Sequence, residues 1–409
     1  MTAQPGVVPA QVLVVDDTAL NRDLLTRRVE KLGHQVRTAE NGREALTLLR
    51  AERFDVVLLD LMMPEVGGEE VLRTMKDDPA LRHLPVIMIS ALEDAETVAR
   101  CIGLGADDYL PKPFDPNILR ARLGASLAKK RLHDREQLYA RGLERELEIG
   151  REIQRSFLPA TLPSLPGWNL AAALRPARQV SGDFYDAFVM AEGREVALVV
   201  GDVCDKGVGA ALFMALLRSL LRALAEQSDG ARWSDPRRES GERRRDVASR
   251  ADSRREHLRR TVTLTSEYLA GTHGDTNVFA TVFFGIVDGD TGDLDYVNAG
   301  HEPPAISGPG RFEQLAPTGP ALGLLPGLTF ELGRARLEPG EHLLVWTDGV
   351  TEARSTAGEL LGDGAVLELA RAPALSAGEA LDRMLSLVDH HAAGAEPADD
   401  VTLLVVRRE

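Results

Sequence analysis

The pattern that most restricts the fold lies in the first third of the chain. Between Val12 and about Ala128, short apolar runs alternate with amphipathic segments. The runs are VLVV (12–15), QVRTA (35–39), DVVLL (55–59), PVIMI (85–89) and DDYL (107–110). Between them lie stretches such as ALNRDLLTRRVEKL and GREALTLLRAE, with apolar residues at helical spacing. A strand that is apolar at nearly every position is buried on both faces, and alternating β and α elements deliver that burial through a parallel sheet covered by helices. The five runs therefore predict a doubly wound α/β domain with a five-stranded parallel sheet over residues 11–128.

In open parallel sheets, sites form beyond the carboxyl ends of the strands. Asp16 and Asp17 directly follow the first run, Asp60 the third and Ser90 the fourth, while Lys112 follows the last within YLPKPF. Four strands thus deliver polar groups to one edge. Carboxylates give a hard cation such as Mg²⁺ the oxygen ligands it prefers. Asp16 and Asp17 would hold the ion, and Asp60 would be both a ligand and a nucleophile towards phosphorus. Lys112 would neutralise a phosphoryl oxygen, and Ser90 would donate a hydrogen bond to it. Pro113 allows a cis bond after Lys112, since X–Pro is where cis peptides are tolerated. VLVVDD, DLMMPEVGG, ISA and ADDYLPKPF stand in an order and spacing that resembles the response-regulator receiver domain. The resemblance implies Asp16 and Asp17 as the acidic pair, Asp60 as phosphoacceptor, Ser90 and Tyr109 as switch residues, and Lys112 as the lysine. It further implies phosphotransfer from a sensor histidine kinase.

From about 115 to 157 the chain is charged and helical in pattern, with apolar residues recurring at gaps of three and four. Residues 129–158 read as a helical linker, either a coiled coil or a helix packed on a neighbouring domain. LPATLPSLPGW (158–168) ends it, because proline cannot continue a helix. Beyond Leu170 strand-like runs dominate: VALVVGDV (196–203), FATVFFGIVD (279–288), LDYVNAG (294–300) and HLLVWTDG (342–349). Helical stretches are expected at 209–227, from about Glu256 to Leu269, and at 377–390. Grouped strands and grouped helices predict an α+β domain over 159–409. Segment 228–255 is crowded with arginine, acids, serine and glycine, and reads as a disordered insertion that contributes little core.

This second domain carries its own aspartates: Asp183 in QVSGDFYDAF, Asp202 in VVGDVCDKGVGAALFM, Asp348 in WTDGVTEA and Asp399 in PADDVTLLVV. Carboxylates gathered on one point repel unless cations lie between them. Two Mg²⁺ or Mn²⁺ ions would relieve that, and a two-metal site activates water for attack on a phosphoryl group. No Ser–His–Asp or Cys–His arrangement stands out nearby, and Cys204 reads as an ordinary free cysteine. His301 in NAGHEPP reads as a structural histidine or an acid. SGDFYD, GDVCDKGVGAALFM, NAGHEPP, TDGVTEA and DDVTLLVV, preceded by IQRSFLP, together resemble the metal-dependent protein serine/threonine phosphatases (PPM) of the bacterial sporulation and stress-response branch. The resemblance implies a β-sandwich flanked by helices. It implies Asp202 bridging the metals, the Val203 carbonyl as a further ligand, Asp348 and Asp399 on the second metal and Asp183 on the first side. Asp400 ranks below Asp399.

Composition narrows the function. A net charge of −15 argues against a general affinity for nucleic acid or anionic lipid. Two cysteines without a pairing pattern fit a reducing cytoplasm. No signal peptide and no bilayer-spanning apolar stretch is expected. The combined reading is a two-component response regulator, expected as a homodimer, in which phosphorylation of Asp60 controls a phosphatase. By resemblance its substrate is a phosphorylated anti-sigma-factor antagonist of the STAS type, in partner-switching control of a sigma factor. The alternative is a catalytically inactive adaptor gated by Asp60.

Overall fold

A computed structural model describes residues 9–90, 95–230, 247–274 and 278–409, with the backbone alone described at 95, 97, 192, 228–230 and 247–250. The chain divides into two compact units, Met1–Glu144 and Arg145–Glu409.

The N-terminal unit alternates strand and helix: β1 (Gln11–Val15), α1 (Ala19–Lys31), β2 (Gln35–Ala39), α2 (Gly42–Ala51), β3 (Val56–Asp60), α3 (Gly68–Asp77), β4 (Val86–Ser90), α4 (Ala95–Gly103), β5 (Asp108–Pro111) and the start of α5 (Pro116–Phe157). All strand pairs are parallel, in the order β2-β1-β3-β4-β5. The central β3 and β4 are buried at every residue, while the edge strand β2 keeps only Ala39 fully buried. Alternate side chains feed two cores. Leu13, Val57 and Met88 pack on one face of the sheet, and Val12, Leu58 and Ile87 on the other. The expected five-stranded doubly wound sheet is present.

The C-terminal unit is built from β6 (Trp168–Arg175), β7 (Phe184–Met190), β8 (Glu195–Val203), α6 (Val208–Gly230), α7 (Val247–His273), β9 (Ala280–Asp288), β10 (Asp293–Ala299), β11 (Ala305–Gly308), β12 (Arg311–Gln314), β13 (Gly333–Arg336), β14 (His342–Trp346), α8 (Asp348–Thr351), α9 (Gly362–Ala370), α10 (Ala377–Ala392) and β15 (Val401–Arg408). Two antiparallel five-stranded sheets form, β13-β10-β9-β8-β7 and β12-β11-β14-β15-β6. Leu198 and Val200 of β8 meet Leu343, Val345, Leu404 and Val406 in the core between the sheets. The alternate residues Ala197 and Val199 turn outward onto α6 and α7, and Leu344, Trp346, Leu403 and Val405 turn onto α9 and α10. Period-two alternation thus serves two cores from each central strand. The result is a sandwich with a helical layer on each side.

Three expectations need correction. Only 231–246 of the expected disordered insertion lies outside the described residues; 247–255 is helical, and α7 begins nine residues before Glu256. Arg254, within that stretch, is 3 % exposed, so the segment does contribute to the interior. Its charge hid this, because a buried arginine with carboxylate partners looks in sequence like a solvated one. Second, among the described residues one helix is long and apolar enough to cross a bilayer, Val208–Gln227. Here Ala210, Met214, Leu217 and Leu221 lie in the core, and α6 packs on α7, β7 and β8. Its Arg218 reaches Asp186 of β7 at 2.8 Å. Third, the run HLLVWTDG (342–349) is strand only as far as Trp346; Asp348 opens the one-turn α8, two residues past β14.

Helix α5 is one continuous helix of 42 residues, and Gly142 and Gly150 do not break it. Leu119, Leu123 and Leu127 are buried against β-sheet residues of the N-terminal unit. Leu132, Leu138, Tyr139, Leu143, Ile149 and Ile153 are exposed.

Candidate functional site

Sheet register builds the first site. Val15 of β1 pairs with Leu59 of β3, so the next residues, Asp16 and Asp60, emerge side by side. Ligand atoms of Asp16, Asp17 and Asp60 lie within 4.8 Å of one another, the separation a single divalent cation can span. Asp16 is buried and held by the Thr18 N–H at 2.9 Å and the Asn21 side chain at 3.1 Å, both on Oδ1. Lys112 Nζ reaches Asp16 Oδ2 at 2.8 Å and Asp60 Oδ2 at 2.9 Å. Burial works against the Lys112 charge, but these two hydrogen bonds outweigh it and its pKa lies above the ordinary lysine value. Burial holds the Asp60 carboxyl above its usual range, against the pull of Lys112. The Lys112–Pro113 bond is cis. Ser90 ends β4 and is buried, and the Tyr109 hydroxyl donates to its carbonyl at 3.2 Å. Gly68 lets α3 start against this edge, since a Cβ there would lie 2.1 Å from the Asp60 carbonyl.

Register also builds the second site. Phe184 pairs with Gly201 across β7 and β8, so Asp183 and Asp202 fall opposite each other at the sheet end. Gly201 is required there, because a Cβ would sit 2.5 Å from the Phe184 ring. The other sheet supplies the remaining groups. Trp346 pairs with Leu403, and Thr347 and Thr402 close the gap, which brings Asp348 and Asp399 to the same end. Burial pushes Asp202 up to about 6, aided by the Asp348 charge, while a hydrogen bond from Asp183 opposes the rise. Asp183, fully buried, is pushed well above the usual range by burial and by the Asp202 charge. Asp348 is raised by burial and by Asp399. These carboxylates form a concentration of negative charge with oxygen donors only, which suits a hard divalent cation. The gathering is looser than in the first site: among the described residues only Asp16, Asp17 and Asp60 form a trio within 4.8 Å.

Several residues at this end escaped the sequence reading. The Thr347 hydroxyl donates to Asp183 Oδ2 at 2.7 Å and accepts the Thr402 N–H at 3.0 Å. Lys206 Nζ lies 2.7 Å from Asp399 Oδ2. Asp400 is engaged by the 177–182 loop, and its charge also helps raise Asp183 and Asp202. Its Oδ1 accepts the Ala177 N–H at 2.7 Å, and its Oδ2 accepts the Ser181 hydroxyl at 2.7 Å and the Gly182 N–H at 2.8 Å. A carboxylate so fully engaged anchors a loop. Val203 ends β8, and its carbonyl accepts the Asp205 N–H at 2.7 Å, with one lone pair left. His301 is buried, with Thr281 Oγ1 3.1 Å from its Nδ1. Burial lowers its pKa to about 4, which keeps the ring neutral at ordinary pH.

The sequence profile described as "Stage II sporulation protein E (SpoIIE)" matches residues 192–409. The chain belongs to the SpoIIE family. Ahead of its SpoIIE domain, the response regulator receiver domain profile matches residues 12–124. The SpoIIE-family chain is 41% identical over 271 residues to Protein IcfG of Synechocystis sp., which covers 64% of this chain and 41% of IcfG. It is 43% identical over 119 residues to the probable transcriptional regulator ycf27 of Guillardia theta, covering 29% of this chain and 46% of that one. The chain therefore spans less than half the length of these two relatives. The SiaA-PP2C domain of Pseudomonas aeruginosa shares the fold, with a TM-score of 0.51 at 19% identity, covering 66% of this chain and 99% of that one. The receiver and the PP2C-type phosphatase fold inferred from sequence are both present in this SpoIIE-family protein.

Proposed function

We propose that this chain is a response regulator in which phosphorylation of Asp60 by a histidine kinase controls hydrolysis of phosphoserine or phosphothreonine on a partner protein. One observation carries the phosphatase half: Asp183 and Asp202 from one sheet, and Asp348 and Asp399 from the other, gather at one end of a SpoIIE-family sandwich, where burial and neighbouring carboxylates raise Asp183, Asp202 and Asp348. We read Asp202, Asp348 and Asp399, with the Val203 carbonyl, as the ligands of two Mn²⁺ or Mg²⁺ ions, and Asp16, Asp17 and Asp60 as the ligands of one Mg²⁺. When bound, the pair of ions would polarise the phosphoryl oxygens and lower the pKa of a water molecule.

The chain's own groups do the rest. Asp183, held by the Thr347 hydroxyl, stands beside Asp202 on the side of the first ion. Asp400 ties the 177–183 loop to the start of β15. Lys206 balances the Asp399 charge at the open side and is placed to meet the anionic substrate. In the receiver, Lys112 already bridges Asp16 and Asp60 and would neutralise a phosphoryl oxygen, with Ser90 and Tyr109 as the responding pair. The partner we infer is a STAS-type anti-sigma-factor antagonist, so that its dephosphorylation would release a sigma factor. A second copy of the chain would pair along the exposed apolar face of α5. We place the functional boundaries at 11–128 for the receiver, 129–158 for the linker and 159–409 for the phosphatase.

The test uses the full chain, Mn²⁺ and a phosphoserine-bearing STAS-domain protein. Release of phosphate that requires Mn²⁺ and is lost in Asp202→Ala is expected. Undiminished release from Asp202→Ala would refute the metal assignment. No release from the wild-type chain on any phosphoserine protein would favour the adaptor.

A further inference from the structure

One buried polar side chain on α5 has no role in the site so far. Gln154 is 8 % exposed, near the end of the helix. Its amide makes a reciprocal pair with the backbone of Ser181: Nε2 donates to the Ser181 carbonyl at 2.6 Å, and Oε1 accepts the Ser181 N–H at 2.9 Å. Ser181 in turn bonds the Asp400 carboxylate and the Asp183 backbone. Its hydroxyl donates to Asp400 Oδ2 at 2.7 Å and accepts the Asp183 N–H at 3.1 Å. From Asp183 the chain of bonds runs to Asp202 and to Thr347. These links between α5 and the carboxylate cluster are directional hydrogen bonds.

The surroundings make this fastening sensitive. A cavity of about 230 Å³ lies beside it, lined by Arg151, Gln154, Arg155, Ser181, Asp183 and Tyr185 among others. The end of α5 thus has open space beside the amide pair, while Leu158 just past it packs on the core. Hydrogen bonds of this length fail steeply with displacement, whereas one residue of helix rise is about 1.5 Å. A shift of α5 by a fraction of a turn would break the pair, and the adjacent cavity leaves room for that shift. Apolar contacts would instead slide and weaken gradually.

We infer that Gln154 is a positioning residue through which α5 sets the geometry, and hence the metal affinity, of the Asp183–Asp202 cluster. The inference rests on the phosphatase reading and names how the linker acts on that site. Gln154 touches neither substrate nor metal; it acts through Ser181.

The test compares the wild-type full chain with Gln154→Met, which keeps the length and apolar stem but neither hydrogen bond. Mn²⁺ binding is measured by titration calorimetry, and hydrolysis of p-nitrophenyl phosphate is followed in parallel. Loss of two buried hydrogen bonds is expected to weaken Mn²⁺ binding about tenfold and lower kcat about tenfold, with KM within about twofold. Ser181→Ala, which keeps the amide pair but removes the hydroxyl link, should shift Mn²⁺ affinity in the same direction. A folded Gln154→Met chain with wild-type Mn²⁺ affinity and kcat would overturn the inference. If that variant does not fold, unchanged Mn²⁺ affinity in Ser181→Ala overturns it. Failure of the phosphatase reading would show separately, as a wild-type chain without Mn²⁺-dependent hydrolysis.

Discussion

Arg254 offers the sharpest test of how the C-terminal unit is held together. It projects from α7 onto three adjacent strands. Its Nε lies 2.6 Å from Asp295 Oδ2 on β10, and its Nη1 lies 3.3 Å from Asp288 Oδ2 at the end of β9 and 3.5 Å from Glu195 Oε1 at the start of β8. Arg254→Met keeps the aliphatic stem and leaves three buried carboxylates without their shared cation. Removing one partner from a buried ionic network costs about 3–5 kcal/mol. For a unit of this size each kcal/mol moves Tm by about 2–4 °C, so a fall of about 6–20 °C is expected. The sign with pH is fixed. Burial already holds Asp295 above the usual carboxylate range, against the pull of Arg254. Without the arginine it rises further, and the penalty for its charge exists only above the unfolded pKa of about 4. The deficit of the variant should therefore be greatest at pH 8 and shrink towards pH 5. Trp168 and Trp346 lie in this unit, and the receiver has no tryptophan, so tryptophan fluorescence during heating reads this unit selectively. A Tm within 2 °C of wild type at pH 8, taking ~1 kcal/mol as the limit, would refute the reasoning, as would a deficit that widens on acidification.

Other outcomes follow from the two sites. Asp202→Asn should abolish Mn²⁺-dependent hydrolysis yet raise the Tm of the chelator-treated protein at pH 8, because an acid whose folded pKa is raised is penalised when ionised; no gain should appear near pH 4, and a loss of stability at pH 8 would contradict the cause assigned to the shift. Gly349→Ala would place a Cβ 1.8 Å from the Asp400 carbonyl, so a destabilisation of about 3 kcal/mol or more is expected, measured by urea unfolding, and a near-neutral result would mean the two loops are not in contact. Asp60→Asn should take no label from a phosphorylated histidine kinase, and Lys112→Ala, though it keeps Asp60, should lose any change in phosphatase rate on treatment with beryllofluoride; a retained response would remove Lys112 from the switch.

The receiver was largely legible because its strands carry their chemistry at their carboxyl ends. VLVVDD and VVLLD each state a buried strand and the ligand that follows it, and a parallel sheet then needs no further information to bring Asp16 and Asp60 together. The phosphatase unit was legible in motif but less so in geometry. Asp400 and Asp399 are neighbours with opposite duties, one engaged by the 177–183 loop and the other facing Lys206. Nothing in the residue type separates them. Thr347 and Gln154 went unseen because a threonine before an aspartate and a glutamine in a charged helix are common, and only their partners give them meaning. The short strands β11, β12 and β13 carry four residues each, too few for a period-two pattern to stand out.

The sequence by itself determined which groups the protein has for phosphate and metal chemistry, and it determined the parallel sheet that presents the first set. Local pattern suffices there, because a strand's burial and the residue after it are adjacent in the chain. Only the tertiary structure decided which carboxylates face one another in the second set. Asp183 meets Asp202 through the register of β7 and β8, and Thr347 reaches Asp183 from the other sheet across 164 positions. The same holds for Arg254, whose charge reads as solvated until three strands bring their carboxylates to it, and for Gln154, which links the helix to the site by bonds to a single distant residue. Hydrogen bonds and ion pairs between segments far apart leave no periodic trace in either partner.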